Sequence, residues 1–395
     1  MSQHYGAMVV GFAENAAQKA STPVTATGLE IAADLTLRAL EDAGLTFEDL
    51  NGLSVEGIYE TPTVVPSTFA EYLGVTLEFA DRPDLGGATG TAMVGRAAIA
   101  INAGLADVVV CVTAGLYPRM DAGIDWLNVG ASSYSPGSPQ AEFEIPYGHL
   151  RQNIPYALIA QRYAHEYGYD HSAMAKLVVD QRTNACANPD AIFYGQPLTE
   201  DDVLSSRMIA TPLRLLEIVR PVIGGGAVIV ASPEVARRCK HRGVRVAGYG
   251  EGVTHKSPQF AKDILDPPLR IAAAKAFKTA GLTPADVDAA QIYDCYSIAV
   301  LMGLEAAGFC GKGEGQSFFR NRDLTFSGDF PLNTNGGQLG FGQPGAAGGM
   351  LHVVEGVRQI MGRAGPRQIK ECDTVFVSGN GGVMAEQTAL VLKGN

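Results

Sequence analysis

Apolar positions along this chain fall into two kinds of run. Short unbroken runs read as strands: Val108-Val109-Val110 after Ala106-Asp107, Thr374-Val375-Phe376 after Cys372-Asp373, and Pro221 to Ser232, whose Val-Ile pair and three glycines suit a buried strand. Elsewhere apolar residues recur at helical spacing. Tyr156, Ala157, Ile159, Ala160 and Tyr163 predict one helix, and Met174 to Cys186 predicts another, ended by the turn signal Asn188-Pro189. The longest apolar region, Ala92 to Ala114, is broken by Arg96, Asn102 and Asp107 and is too polar to span a bilayer.

These elements repeat. Val9-Val10-Gly11-Phe12-Ala13-Glu14 parallels Val246-Ala247-Gly248-Tyr249-Gly250-Glu251, and Ala43-Gly44-Leu45-Thr46 matches Ala280-Gly281-Leu282-Thr283, both at an offset of 237 residues. Each AGLT closes a helical pattern with glycine as the stop, and an acidic turn follows, Glu48-Asp49 in one copy and Asp286 in the other. A duplication of this period built from strand–helix–strand units predicts two α/β halves packed together rather than a solenoid. The expected division is an N-terminal half over 1–117 and 221–243, an inserted loop domain over 118–220 capping that half, and a C-terminal half over 244–395.

Composition narrows the class. With 46% hydrophobic and 18% charged residues, the chain reads as a folded globular protein. A net charge of −11 argues against nucleic acid as a partner, since phosphate binding needs a positive surface. The six cysteines show no CxxC and no paired spacing, which suits reduced thiols. No basic stretch followed by an apolar run opens the chain, so a cytoplasmic location without membrane association is expected. His165 and His171 are six apart, whereas two ligands on one helix face would be three or four apart, so no metal site is expected. No GxGxxG follows a strand and no Walker pattern is present, so no nucleotide cofactor is expected.

Four stretches carry a resemblance: Ser206-Arg207-Met208-Ile209-Ala210-Thr211-Pro212-Leu213, Tyr293-Asp294-Cys295-Tyr296, Asn333-Thr334-Asn335-Gly336-Gly337 and Gly342-Gln343-Pro344-Gly345. In this order, within a duplicated α/β chain, they resemble the thiolase superfamily, and within it the sterol-carrier-type thiolases and steroid side-chain aldolases. The resemblance implies a five-layered αβαβα thiolase fold, a homodimer, and a coenzyme A thioester as substrate rather than a cofactor. It also implies a small OB-fold and zinc-ribbon partner, giving a heterotetramer.

The departures from the thiolase pattern bear on the chemistry. Where thiolases carry a nucleophilic cysteine at a helix N-terminus, in a pattern like Cys-Ser-Thr-Gly, the matching stretch here is Gly86-Gly87-Ala88-Thr89-Gly90, and Gly87 stands in the cysteine's place. Thr89 reads as a helix-start hydroxyl. The motif that reads His-Asp-Cys-Phe in sterol-carrier-type thiolases reads Tyr293-Asp294-Cys295-Tyr296, and the Gly-His-Pro motif reads Gly342-Gln343-Pro344. Ser378 stands where a second cysteine precedes glycines.

What remains suits retro-aldol cleavage, which needs a base for the β-hydroxyl proton and donors for the thioester enolate, but no nucleophile. Tyr293 is the candidate acid/base, its phenol expected to be lowered from about 10 by nearby donors. Gln343 and the backbone around Gly336, Gly337 and Gly381 are candidate oxyanion donors. Cys295 is either an acid/base thiol or a buried structural one. Asp294 is expected to orient the loop, Phe341 to line an apolar pocket, and Asn335 and Gly342 to contact substrate. His149 is weighed as a substrate contact, though a surface role suits it better. The reading is an acyl-CoA aldolase cleaving a bulky β-hydroxyacyl-CoA, a steroid side-chain thioester among the candidates, to a ketone or aldehyde and a shorter acyl-CoA. The alternatives are a thiolase or acyltransferase using Cys295, and a non-catalytic acyl-CoA-binding subunit.

Overall fold

A computed structural model describes residues 6–56, 58, 61, 63–115, 137–148 and 152–395. His149 and most of the loop 118–140 lie outside the described residues.

Among the described residues, nine strands form one path: β1 (Met8–Glu14), β2 (Gly52–Val55), β3 (Phe79–Asp81), β4 (Val108–Gly115), β5 (Val222–Ala231), β6 (Val244–Val253), β7 (Ala289–Gln291), β8 (Thr374–Gly381) and β9 (Glu386–Gly394). Their order is β7-β8-β9-β6-β1-β5-β4-β2-β3, and the two-residue strand Gln18–Lys19 pairs with β5 beside them. The order is symmetric about the β1–β6 junction, which is held by only two residue pairs, Met8 with Arg245 and Val9 with Val244. On one side β1 and β4 run antiparallel to β5 while β2 runs parallel to β4. On the other, β6 and β8 run antiparallel to β9 while β7 runs parallel to β8. The duplicated sequence thus builds the same mixed sheet pattern twice.

The caps explain why the repeat was audible in the sequence. Helix α1 (Gly28–Ala43) stops at Gly44 and its counterpart, Leu269–Ala280, stops at Gly281, with φ of 78° and 68°. That left-handed region disfavours any residue with a Cβ. A 3₁₀ turn follows each, opened by Thr46 and Thr283, whose N–H groups donate to Asp49 at 2.9 Å and Asp286 at 2.8 Å.

Helices α2 (Thr89–Asn102) and Gly348–Ile360 pack on each other and touch strands of both halves. Both are buried along most of their length, which explains why Ala92–Ala114 reads as apolar without being a membrane segment. Among the described residues, no helix is long and apolar enough to cross a membrane.

The inserted segment supplies α3 (Asn153–Tyr167) and α4 (His171–Cys186), the latter capped by Asp170, whose carboxylate accepts from Ser172 N–H at 3.0 Å. Tyr156, Ala157, Ile159, Ala160 and Tyr163 are the buried stripe of α3, as their spacing predicts. The expectation that this segment caps the first half is corrected. Tyr156, Ala157, Ile159, Ala160 and Tyr163 of α3, with Ala173, Met174 and Leu177 of α4, join the core cluster of Ile292, Tyr293, Tyr296, Leu301 and Phe376, all of the second half. An apolar stripe specifies that a face is covered, not which surface covers it. The remaining helices named below are α5 (Leu269–Ala280), α6 (Ser297–Ala307), α7 (Gly337–Phe341) and α8 (Gly348–Ile360).

A buried charge network ties α8 to its surroundings. Glu355, fully buried, accepts from Arg367 at 2.9 Å, Arg358 at 3.0 Å, Gln359 at 2.9 Å and the Thr334 hydroxyl at 2.8 Å, and Arg358 reaches on to Glu14 at 2.8 Å. The two guanidiniums hold the Glu355 carboxyl below its ordinary range against the opposing effect of burial. Glu355→Gln leaves two buried cations short of a counter-charge, and a loss of about 3–5 kcal/mol in unfolding free energy is expected in urea titrations. A change below about 1 kcal/mol would show that the network contributes little net stability.

Candidate active site

Strand β7 ends at Gln291, and the next five residues carry the candidate chemistry into α6. Asn333 holds the start of this segment: its Oδ1 accepts the Ile292 N–H at 2.8 Å and its Nδ2 donates to the Ile292 carbonyl at 2.9 Å. The Tyr293 N–H donates to Ser378 Oγ on β8 at 3.0 Å. Ser378 therefore anchors the tyrosine's backbone.

Tyr293 is 4% exposed, and its Oη accepts from Gln343 Nε2 at 3.1 Å and from the Gln338 side chain. Its phenol fills the space in front of Gly87. A Cβ built on Gly87 would lie 2.1 Å from Tyr293 Oη, 2.3 Å from Cζ and 2.6 Å from the Asn380 carbonyl. Gly87 and Tyr293 are thus brought together although 206 positions separate them in the sequence. The expected lowering of the phenol is corrected: burial pushes it up, Cys295 and Asp294 push the same way, and the amide donors Gln343 and Gln338 oppose without prevailing. Donors can be guessed from a motif, whereas depth of burial cannot.

Behind the tyrosine, Asp294 is fully buried and accepts the N–H groups of Gln338 at 2.8 Å and Leu339 at 3.0 Å, at the start of the short helix α7. These two bonds tie the Tyr293 loop to the start of α7. His352 of α8, 1% exposed, places Nε2 at 3.1 Å from Asp294 Oδ1 and Nδ1 at 3.3 Å from Gln291 Oε1. The His352 and Tyr293 ring centroids are 5.9 Å apart.

On the other side lies Cys295, buried, with its thiol pushed up to about 12 by burial. Tyr156 of α3 is hydrogen-bonded to this thiol, and Asn380 Nδ2 donates to Tyr156 Oη at 2.9 Å and lies 3.7 Å from Cys295 Sγ. The Tyr156 ring stacks on Tyr296 with centroids 4.2 Å apart.

The other candidates are placed as follows. Gly336 N–H donates to the Asn333 carbonyl at 2.8 Å and Gly337 N–H to Asn335 Oδ1 at 2.9 Å, so these backbone donors are already engaged and the donors facing Tyr293 are side-chain amides. The Gly342 N–H donates to the Gln338 carbonyl at 3.0 Å. Gly381 packs against the Leu85 carbonyl, in the loop that leads to Gly87. Phe341 is buried with Ala185, Ala191 and Leu351. Thr89 Oγ1 accepts the Leu85 N–H at 3.0 Å, a helix-start role. Among the described residues, no group of three His, Cys, Asp or Glu side chains is arranged to hold a metal ion.

Two neighbours of the motif, His352 and Tyr156, carry no motif of their own. Each lies in an apolar helical run and reads as core. The available signal was a single histidine in the otherwise apolar stretch Leu351-His352-Val353-Val354, since an imidazole buried there needs polar partners.

Comparison with known proteins follows this geometry. Residues 250–394 match the family described as "Thiolase C-terminal domain-like". The "17-hydroxy-3-oxo-4-pregnene-20-carboxyl-CoA lyase" of Mycobacterium tuberculosis is 35% identical over 340 residues, 85% of this chain and 86% of that protein. The "Steroid side-chain-cleaving aldolase" of Thermomonospora curvata is 31% identical over 364 residues, 90% of each. A solved structure described as "Ltp2-ChsH2(DUF35) aldolase" superposes with a TM-score of 0.87 at 29% identity, covering 100% of this chain and 99% of that one. The duplicated mixed sheet, the Tyr293 motif and these relatives agree: the chain belongs to the thiolase superfamily, in its branch of sterol-carrier-type thiolases and steroid side-chain aldolases.

Proposed function

We propose that the protein is a carbon–carbon lyase that cleaves a bulky β-hydroxyacyl-CoA, of the steroid side-chain class, into a ketone or aldehyde and a shorter acyl-CoA. The observation that carries this is the Tyr293 hydroxyl standing where a side chain at position 87 would otherwise project, with Gln343 donating to it. A site with a phenol and an amide in place of a nucleophile suits proton transfer, not acyl transfer.

In the proposed reaction the Tyr293 phenolate takes the β-hydroxyl proton. The O–H electron pair forms the new C=O bond, the bond between the α- and β-carbons breaks, and its pair passes into the thioester enolate. Gln343 Nε2 donates to the enolate oxygen. The phenol then returns its proton to the α-carbon, which regenerates the phenolate and balances the step. The same reading takes the two halves as a five-layered αβαβα arrangement, the inserted segment as an addition packed on the second half, and the working form as a homodimer joined by a small partner protein. The partner is supported by the relative whose structure is described as a two-protein aldolase.

The test is product analysis by mass spectrometry, with and without such a partner. Ketone or aldehyde with shortened acyl-CoA is expected, and iodoacetamide at pH 7 is expected to leave the rate intact, because the Cys295 thiol is buried and held near 12. An acyl adduct on Cys295 from a β-ketoacyl-CoA, without cleavage, would establish thiolase chemistry instead. Tight acyl-CoA binding with neither product nor adduct would establish a binding subunit.

A further inference from the structure

We propose that Arg182, with Arg220 beside it, forms an anion site for a phosphate group next to the Phe341–Gln343 segment. The inference stands apart from the lyase reading, which enters only in naming one source of the phosphate.

Arg182 carries an uncompensated charge. It lies on α4 and is only 7% exposed, and burial pulls its guanidinium below the ordinary arginine range. Among the described residues no carboxylate acts on it, and the Cys186 thiol one turn further along is the titratable group that does. Its contacts are the ring of Phe193, whose centroid lies 3.8 Å from Cζ, and the Gln196 carbonyl, to which Nη1 donates at 3.3 Å. Its Nε is buried without a hydrogen-bond partner. The buried arginines of the α8 network differ: Arg358 meets Glu14 and Glu355, and Arg367 meets Glu355. A ring face and one carbonyl offset only part of the cost of drying a full charge, so the arrangement suits an anion.

Arg220 brings a second guanidinium to the same ring, its Cζ 5.9 Å from the Phe193 centroid, and its side chain is exposed. Three backbone bonds fix this corner. Ile192 N–H donates to the Phe341 carbonyl at 3.0 Å, Ala17 N–H to the Asp190 carbonyl at 2.8 Å, and Gln343 N–H to the Arg220 carbonyl at 2.9 Å. Both arginines are thus presented by backbone that is already tied down, which lowers the ordering cost of gripping a ligand. Two guanidiniums at one place call for a group with two charges and more than two acceptor oxygens. A phosphate monoester or inorganic phosphate meets that need, whereas a carboxylate supplies one charge and two oxygens.

The full chain is titrated with inorganic phosphate at constant ionic strength, by calorimetry and by thermal unfolding. Saturable binding is expected, with a rise in Tm that follows occupancy. Arg220→Ala is expected to weaken binding about 10- to 100-fold. Arg182→Met is expected to abolish it and, because a dry unpaired charge is removed, to unfold no more easily than wild type in phosphate-free buffer. Absence of saturable binding in wild type overturns the proposal, as does binding that either variant retains at wild-type strength. A clear loss of stability of Arg182→Met in phosphate-free buffer would mean that the ring and the carbonyl already satisfy the guanidinium, and overturns the premise. If that variant does not fold, Arg220→Ala decides. Acetate binding as tightly as phosphate overturns the choice of phosphate. Coenzyme A and its analogue without the 3′-phosphate, titrated in parallel, separate the sources: a preference for coenzyme A that Arg220→Ala removes assigns the site to the substrate, and equal binding of the two assigns it to free phosphate. Cleavage enters none of these readouts, so the site and the lyase reading fail or stand separately.

Discussion

Tyr293→Phe is expected to reduce cleavage of a β-hydroxyacyl-CoA by about 10²- to 10⁴-fold, the range for loss of a positioned acid/base group. The substitution removes one oxygen and keeps the ring, so the neighbouring packing, including the 5.9 Å spacing to His352, has no reason to change. KM should therefore stay within a few-fold while kcat collapses. The pH profile supplies a second readout. Burial holds the phenol above its ordinary value, and the phenolate is the reactive species, so wild-type kcat/KM is expected to rise with pH through the neutral and mildly alkaline range. The phenylalanine variant should lose that slope. Equal kcat in both proteins, or the same slope, would remove Tyr293 from the chemistry.

Gly87→Ala is expected to be nearly as damaging, although it adds a single methyl group. Its Cβ would meet the Tyr293 oxygen at 2.1 Å and the Asn380 carbonyl at 2.6 Å. The carbonyl belongs to strand β8 and has little freedom to yield, so the phenol moves and its 3.1 Å contact with Gln343 is lost. A fall of about 10²-fold or more in kcat is expected, with about 1–3 kcal/mol lost from stability as for other overpacked sites. Tyr293→Ala provides the control. With the phenol gone, adding Gly87→Ala should cost less stability than in wild type, the contact with the Asn380 carbonyl being what remains, and the difference is read as a coupling in a double-mutant cycle from urea denaturation. Additive costs would mean that the two residues do not compete for space.

Much of this was legible in the chain. The repeat announced itself because helix stops depend on backbone conformation: Gly44 and Gly281 are both left-handed, and Thr46 and Thr283 open equivalent turns. The Tyr293-Asp294-Cys295-Tyr296 and Gly342-Gln343-Pro344 motifs meet at one hydrogen bond, Gln343 to Tyr293. Three things were not legible, each for a physical reason. The α3 stripe showed that a face would be buried but not that the second half would bury it. His352 and Tyr156 sit in apolar helical surroundings, where a polar group is noticed only through the partners it finds in space. The direction of the Tyr293 shift depends on how deep the side chain lies, and the donors at its oxygen say nothing of that.

The shared space at Gly87 and Tyr293 also constrains the order in which such a site can change. On this backbone a side chain at 87 and a phenol at 293 exclude one another. A chain of this architecture bearing a cysteine at 87 has no room to gain the tyrosine first, since the new ring would arrive in occupied volume. The glycine has to come before the phenol, and between the two steps lies a protein with neither nucleophile nor phenol. On the lyase reading proposed above, a nucleophile at 87 and a phenol at 293 are thus alternatives for one volume, and passage between them runs through a glycine.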